Sequence, residues 1–159
     1  MTITTADHAP MQLAIAASRD ALAAGNMPFG ATLVSPAGEL LWTAQNNQVT
    51  SGDCTGHAEL VLVRDATAKL GAAALRGGTV YASGEPCAMC SGAMFWAGIS
   101  RVVFAASQGD IHAALGGANL PIRTAQTLAG ASPAVVVEGP LLGAPAIAVL
   151  EEGGRRLRG

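Results

Sequence analysis

Two short stretches carry the residues able to do chemistry: "HAE" at 57–59 and "PCAMC" at 86–90. A Cys-x-x-Cys pair can hold a structural zinc, shuttle electrons, or supply two of three protein ligands to a catalytic metal. Cys87 and Cys90, three apart, share one face of a helix that Pro86 is suited to open. In its first turn they feel the positive end of the helix dipole, which favours thiolate and metal binding. His57 is the candidate third ligand and Glu59 the nearest acid, at the start of an earlier helix where both can reach past the N-terminus. Three ligands and one open position make the donor set of a catalytic zinc. Cys54, in "CTGH", keeps a closed structural site of three cysteines and a histidine open as an alternative, and a thioredoxin-like redox pair is a second.

The surrounding pattern alternates strands and helices, within a single domain over 1–159. A helix is expected over 11–24, ending at Gly25-Asn26, and "GATLV" and "ELLWTAQ" flank the turn "SPAG" as a hairpin. Thr55 is expected to cap a helix from about 57 to 70 that stops at Gly71, its "ELVLV" segment buried on more than one side. Strands follow at 78–83, 101–106 and 133–138, with a helix from Pro86 to about Ala97 and a weak helix from about Ala144. The stretch 107–132 reads as irregular and "RRLRG" as a frayed tail. Strand–helix–strand units of this length imply a largely parallel sheet under helices, with the hairpin as an antiparallel edge. The two candidate helix starts then meet at the carboxyl edge of that sheet, where open α/β folds place their sites.

Composition narrows the field. The chain has 159 residues, half of them hydrophobic and 13% charged, which excludes wholesale disorder. A net charge of −2, with nine basic residues of which one is lysine, lacks the footprint of a nucleic-acid-binding surface. Three cysteines without framework spacing, no secretory pattern and no membrane-length apolar run make a cytoplasmic protein the expectation.

"HAE" followed by "PCAMC", in that order, resembles the two-part motif of the cytidine deaminase-like superfamily. The likeness runs from "MPFGATLV" through "RVVFAA". Within it, "PFGA…QNN…HAE…EPCAMCSGAMFWAG" is most similar to small bacterial guanine deaminases. The resemblance implies a three-layer α/β/α sandwich with a mixed five-stranded sheet. It also implies one zinc per chain on His57, Cys87 and Cys90, Glu59 as the proton carrier, and hydrolytic deamination of a free amino-nucleobase, most simply guanine. Cytosine, an amino-triazine, a nucleoside and a tRNA adenosine are the alternative substrates. Substrate contacts implied in the same way are Asn46, Phe29, Ala58, Trp96 and Asp110, although a strand-end turn, core packing, a helix-end contact and a solvated loop acid are the ordinary uses of such residues. His8 and His112 read as solvated histidines. Two departures stand out: no aromatic follows Phe104, and the segment after 107 matches neither guanine nor tRNA enzymes. A homodimer is expected from the family and the apolar composition.

Overall fold

The computed structural model describes residues 2–159. Strands β1 (Gly30–Val34) and β2 (Leu40–Gln45) form the expected hairpin. Strands β3 (Thr79–Gly84), β4 (Arg101–Ala106) and β5 (Val136–Glu138) complete one sheet in the order β2-β1-β3-β4-β5. β1 pairs antiparallel with both neighbours, whereas β3, β4 and β5 run parallel. The sheet is therefore mixed and five-stranded.

Helices cover both faces. Helix α1 (His8–Ala23) packs on one face with α5 (Gln108–Leu115) and α7 (Gly143–Arg158), around Met11, Ile15, Tyr81, Val103, Val149 and Leu150. The other face carries α3 (Ala58–Leu70) and α4 (Ala88–Trp96), around Leu33, Leu62, Val80, Met94 and Val102. Residues 33, 80 and 102 thus face one core while 34, 81 and 103 face the other, the two-residue alternation of strands. Being covered on both sides, β1 and β4 are buried along their whole length, which explains why both are almost wholly apolar apart from Thr32 in β1 and the ion-paired Arg101 that opens β4. The three-layer α/β/α sandwich follows, and α1 approaches β1 closely because Gly30 has no side chain: a Cβ there would lie 2.7 Å from that of Ala17.

Several expectations change. Residues 107–132 contain two helices, α5 and the single-turn α6 (Thr124–Thr127); a further single turn, α2 (Gln48–Ser51), follows β2. α5 begins with a capping box in which Asp110 N–H donates to Ser107 Oγ and the Asp110 carboxylate accepts from Ser107 N–H at 2.9 Å. "RRLRG" is no frayed tail but the end of α7: Arg156 donates to the Leu22 carbonyl at 3.1 Å and Arg158 to that of Ala114 at 3.3 Å. These guanidinium groups tie α7 to carbonyls in the last turns of α1 and α5, that of Leu22 accepting from Gly25 N–H as well. Strand β5 is shorter than expected. Thr55 does not cap α3; its hydroxyl donates to Asp53, and His57 takes the cap position. Pro86 lies two residues ahead of the first residue of α4, Ala88, and Cys87 takes the cap position between them.

Among the described residues no helix is long and apolar enough to cross a membrane.

Candidate metal centre and cleft

His57 and Cys87 occupy equivalent places, each the extended residue that begins a helix following the core of the sheet (φ/ψ −68°/146° and −72°/173°). That position is ordinarily filled by Ser, Thr, Asp or Asn, whose side chain folds back onto the helix's free N–H groups. Here neither side chain makes such a bond, so both project beyond the helix ends and toward each other. Cys90 stands one turn into α4 and is buried.

The three donor atoms converge within 4.8 Å of one another, and His57 Nδ1 is 3.6 Å from the sulfur of Cys87 and 3.6 Å from that of Cys90. Tetrahedral zinc with its usual Zn–N and Zn–S lengths places a nitrogen and a sulfur ligand about 3.6 Å apart. The donor set fits zinc in type, number and spacing. Its electrostatics agree. A hydrogen bond from Cys90, opposed by burial and joined by one from His57, pulls the Cys87 thiol down to about 4. Cys90, hydrogen-bonded to Cys87 and buried beside Glu59, is pushed far up, and binding a cation there requires its thiolate.

Glu59, in the first turn of α3, is 5% exposed, and burial raises its carboxyl to about 7 despite the positive pull of His57. A carboxyl poised near neutrality beside an open metal position can both accept and return a proton. Cys54 is exposed and stands outside the donor group, which removes the closed four-ligand alternative.

The centre opens into a cleft of about 390 Å³. It is lined by Phe29 and by His57, Glu85, Cys87 and Met89 around the centre, by Gln108, Ile111 and His112 of α5, and by Gly116, Ala118, Asn119 and Leu120 of the segment that follows. Gly84 lies beneath the floor, where a Cβ would come within 2.8 Å of Phe29 and 2.9 Å of Ile111. His112 is therefore a cleft residue rather than an unrelated solvated histidine.

The proposed contacts separate on inspection. Phe29 lines the cleft. Ala58 is the fully buried first residue of α3, its N–H in the turn that lacks intrahelical acceptors. Asn46 is close by, since its N–H donates to the Phe29 carbonyl, but its side chain is only 1% exposed and both ends of its amide bond to Gln48 at 2.7 and 3.0 Å. Trp96 is at the far end of α4, about 13 Å along the axis from Cys87, and 83% exposed. Asp110 closes the α5 cap and faces a groove between α5 and α7, so the structure does not bring it or Trp96 to the metal donors.

Glu85 had no place in the sequence-level site. Its carboxylate is buried just ahead of Pro86-Cys87 and accepts from Gln108 N–H, Arg123 and Thr124 N–H. The buried Thr124 hydroxyl donates to the Pro86 carbonyl at 2.7 Å. A Glu-Pro-Cys run gives no sign that its acid is bonded to residues more than 20 positions downstream.

The family model described as the cytidine and deoxycytidylate deaminase zinc-binding region matches residues 4–106, and the chain belongs to that family. It is 45% identical to the guanine deaminase of Bacillus subtilis (strain 168) over 83 residues, 52% of this chain and 53% of that protein. It is 37% identical to the tRNA-specific adenosine deaminase of the same organism over 102 residues, 64% of this chain and 63% of the relative. The matches thus span between half and two thirds of these curated relatives. The solved structure of the guanine deaminase from Nitrosomonas europaea superimposes with a TM-score of 0.81 at 26% identity, covering 98% of this chain and 87% of that one.

Proposed function

We propose that this protein is a zinc-dependent hydrolytic deaminase of a free amino-nucleobase, with guanine as the first substrate. The observation that carries the reading is a three-donor, zinc-spaced centre with a buried carboxyl near neutrality, opening on a cleft walled by Phe29. Zinc held by His57, Cys87 and Cys90 supplies Lewis acidity, which makes water a nucleophile near neutral pH. Glu59 accepts a proton from the attacking water and delivers it to the ring nitrogen beside the amino-bearing carbon. It then moves the second proton of that water to the amino group, so that ammonia leaves and a carbonyl remains. Phe29 offers an aromatic surface to a flat ring. Asn46 fixes the backbone behind Phe29, and beyond its two bonds to Gln48 its amide keeps one N–H and one lone pair for a substrate.

Guanine is favoured by likeness to two guanine deaminases, one in sequence and one across nearly the whole fold. A tRNA adenosine is the rival on the same centre, supported by the tRNA-specific relative. Against it stand the net charge of −2 and the absence of Lys or Arg among the residues lining the cleft. A cytoplasmic homodimer completes the proposal. Met89, Gly92, Ala93 and Trp96 recur at helical spacing on α4, Met89 and Trp96 are exposed, and the helix carries no charge, as suits a face covered by a second copy.

The test is ammonia release from free guanine by the zinc-loaded protein, with cytosine and an anticodon stem-loop in parallel. Release from guanine, absent in Glu59→Gln, is the expected result. Release from the stem-loop alone overturns the free-base reading.

A further inference from the structure

The stretch from Gly116 to Arg123 has no regular structure, yet Gly116, Ala118, Asn119 and Leu120 supply one wall of the cleft. Eight residues without a helical or sheet ladder do not hold a wall unless something outside them fixes their ends. Glu85 does so. Its side chain is 2% exposed, and Arg123 Nε bonds both carboxylate oxygens at 2.9 Å while a second guanidinium nitrogen lies 2.9 Å from Oε2. The same carboxylate accepts from Gln108 N–H at 2.9 Å, at the start of α5, and from Thr124 N–H at 3.3 Å, at the start of α6. Gln108 then reaches across to donate to the Ile122 carbonyl at 2.9 Å. The C-terminal end of the wall is thereby tied to one buried acid, two residues ahead of the metal ligand Cys87, and the same acid holds the start of α5, the helix from which the wall departs.

Arg123 is 47% exposed and does not line the cleft, so it meets no substrate itself. Among the described residues it supplies the only cationic partner of a carboxylate that cannot be left alone inside the protein. Its planar fork spans both oxygens, a geometry that lysine cannot copy in full. The adjacent left-handed glycines Gly116 and Gly117 (φ 65° and 82°) let the chain turn out of α5, and they give the wall little stiffness of its own.

We infer that Arg123 is a positioning residue for the substrate: through Glu85 it fixes residues 116–122 at the distance from the metal centre at which a planar base is gripped. The inference rests on the deaminase reading for the identity of the ligand, but not for the existence of the latch.

Zinc-loaded wild type, Arg123→Ala and Arg123→Lys are compared by zinc content, by hydrogen exchange across 116–122, and by KM and kcat for guanine. In Arg123→Ala, exchange at 116–122 accelerates at least tenfold while α3, α4 and zinc content stay unchanged. KM rises about tenfold and kcat shifts less than threefold, and Arg123→Lys recovers part of both losses. Unchanged exchange in Arg123→Ala overturns the latch whatever happens to turnover. Faster exchange with an unchanged KM overturns the positioning role and leaves Arg123 a merely structural residue. If the wild type releases no ammonia from guanine, the functional reading fails there, and the exchange contrast alone decides the latch.

Discussion

Two buried polar clusters sit near opposite ends of strands β3 and β4, and they differ in whether their bonding is closed. Toward the amino end, Arg101 bonds Asp7 at 2.6 Å and Glu138 at 2.6 Å, and the Tyr81 hydroxyl donates to Asp7 at 2.5 Å. Burial pushes the Asp7 carboxyl up, but hydrogen bonds from Arg101 and Tyr81 outweigh it and hold the group well below the ordinary carboxylate range. Every charge there has its partner within the protein. At the carboxyl end, three donors converge beside a buried carboxyl that pairs with no Lys or Arg among the described residues, and burial raises Glu59 to about 7 against the positive pull of His57. The first cluster joins α1 to the sheet; the second asks for something from outside. An unsatisfied buried cluster marks a functional site only when a satisfied one of similar burial is present to show what the fold does by default.

The contrast is broken most severely at the open end. Cys90→Ala removes a ligand from the centre; zinc content falls from one per chain to below a tenth, measured by atomic absorption, and deamination disappears with it. Glu59→Gln keeps the metal and loses the proton carrier, so turnover falls about 10²–10⁴-fold. Its denaturation midpoint stays level or rises, because a buried carboxyl has been replaced by a neutral amide. The closed end responds in the opposite way. Arg101→Met strands Asp7 and Glu138 and costs about 3–5 kcal/mol in urea unfolding, whereas zinc content and kcat of the folded fraction are retained. Loss of zinc from this variant would show that the two ends are coupled.

Tyr81→Phe is the mildest, about 1.5–3 kcal/mol for one hydrogen bond to a charged group. It also carries a pH signature. Burial, followed by the Asp7 carboxylate, raises the tyrosine to about 12 from its ordinary 10.0. The protonated hydroxyl is the favoured form in the fold, so its contribution is complete below pH 10 and is lost as pH rises through 12. The alkaline loss of stability between those values should be shallower in Tyr81→Phe than in the wild type.

Legibility in the sequence followed the range of the interaction. β4 is readable to the residue because burial on both faces leaves an apolar run from Val102 to Ala106, and the metal donors are readable because Cys87 and Cys90 are set by spacing within one helix turn and His57 by its place beside Glu59 at another helix start. Helix α5 was not, since glycine and alanine give it little amphipathic pattern; the Ser107–Asp110 capping box was its one local signal, and reading Asp110 as a ligand group concealed it. Glu85 and Arg123 are 38 positions apart, and their pairing depends on how α4, α5 and α6 meet in space. Trp96 shows the reverse failure: its family position suggested chemistry, and the helix carries it to the wrong end.

Gly84 bears on how this cleft could change over evolutionary time. The missing methyl group under Phe29 and Ile111 makes this position costly to change: a Cβ there would press on the Phe29 ring and on the end of the Ile111 side chain at once. Substitutions in the exposed 118–122 segment meet no such obstacle, and single changes there alter the surface presented to a ligand without disturbing either core.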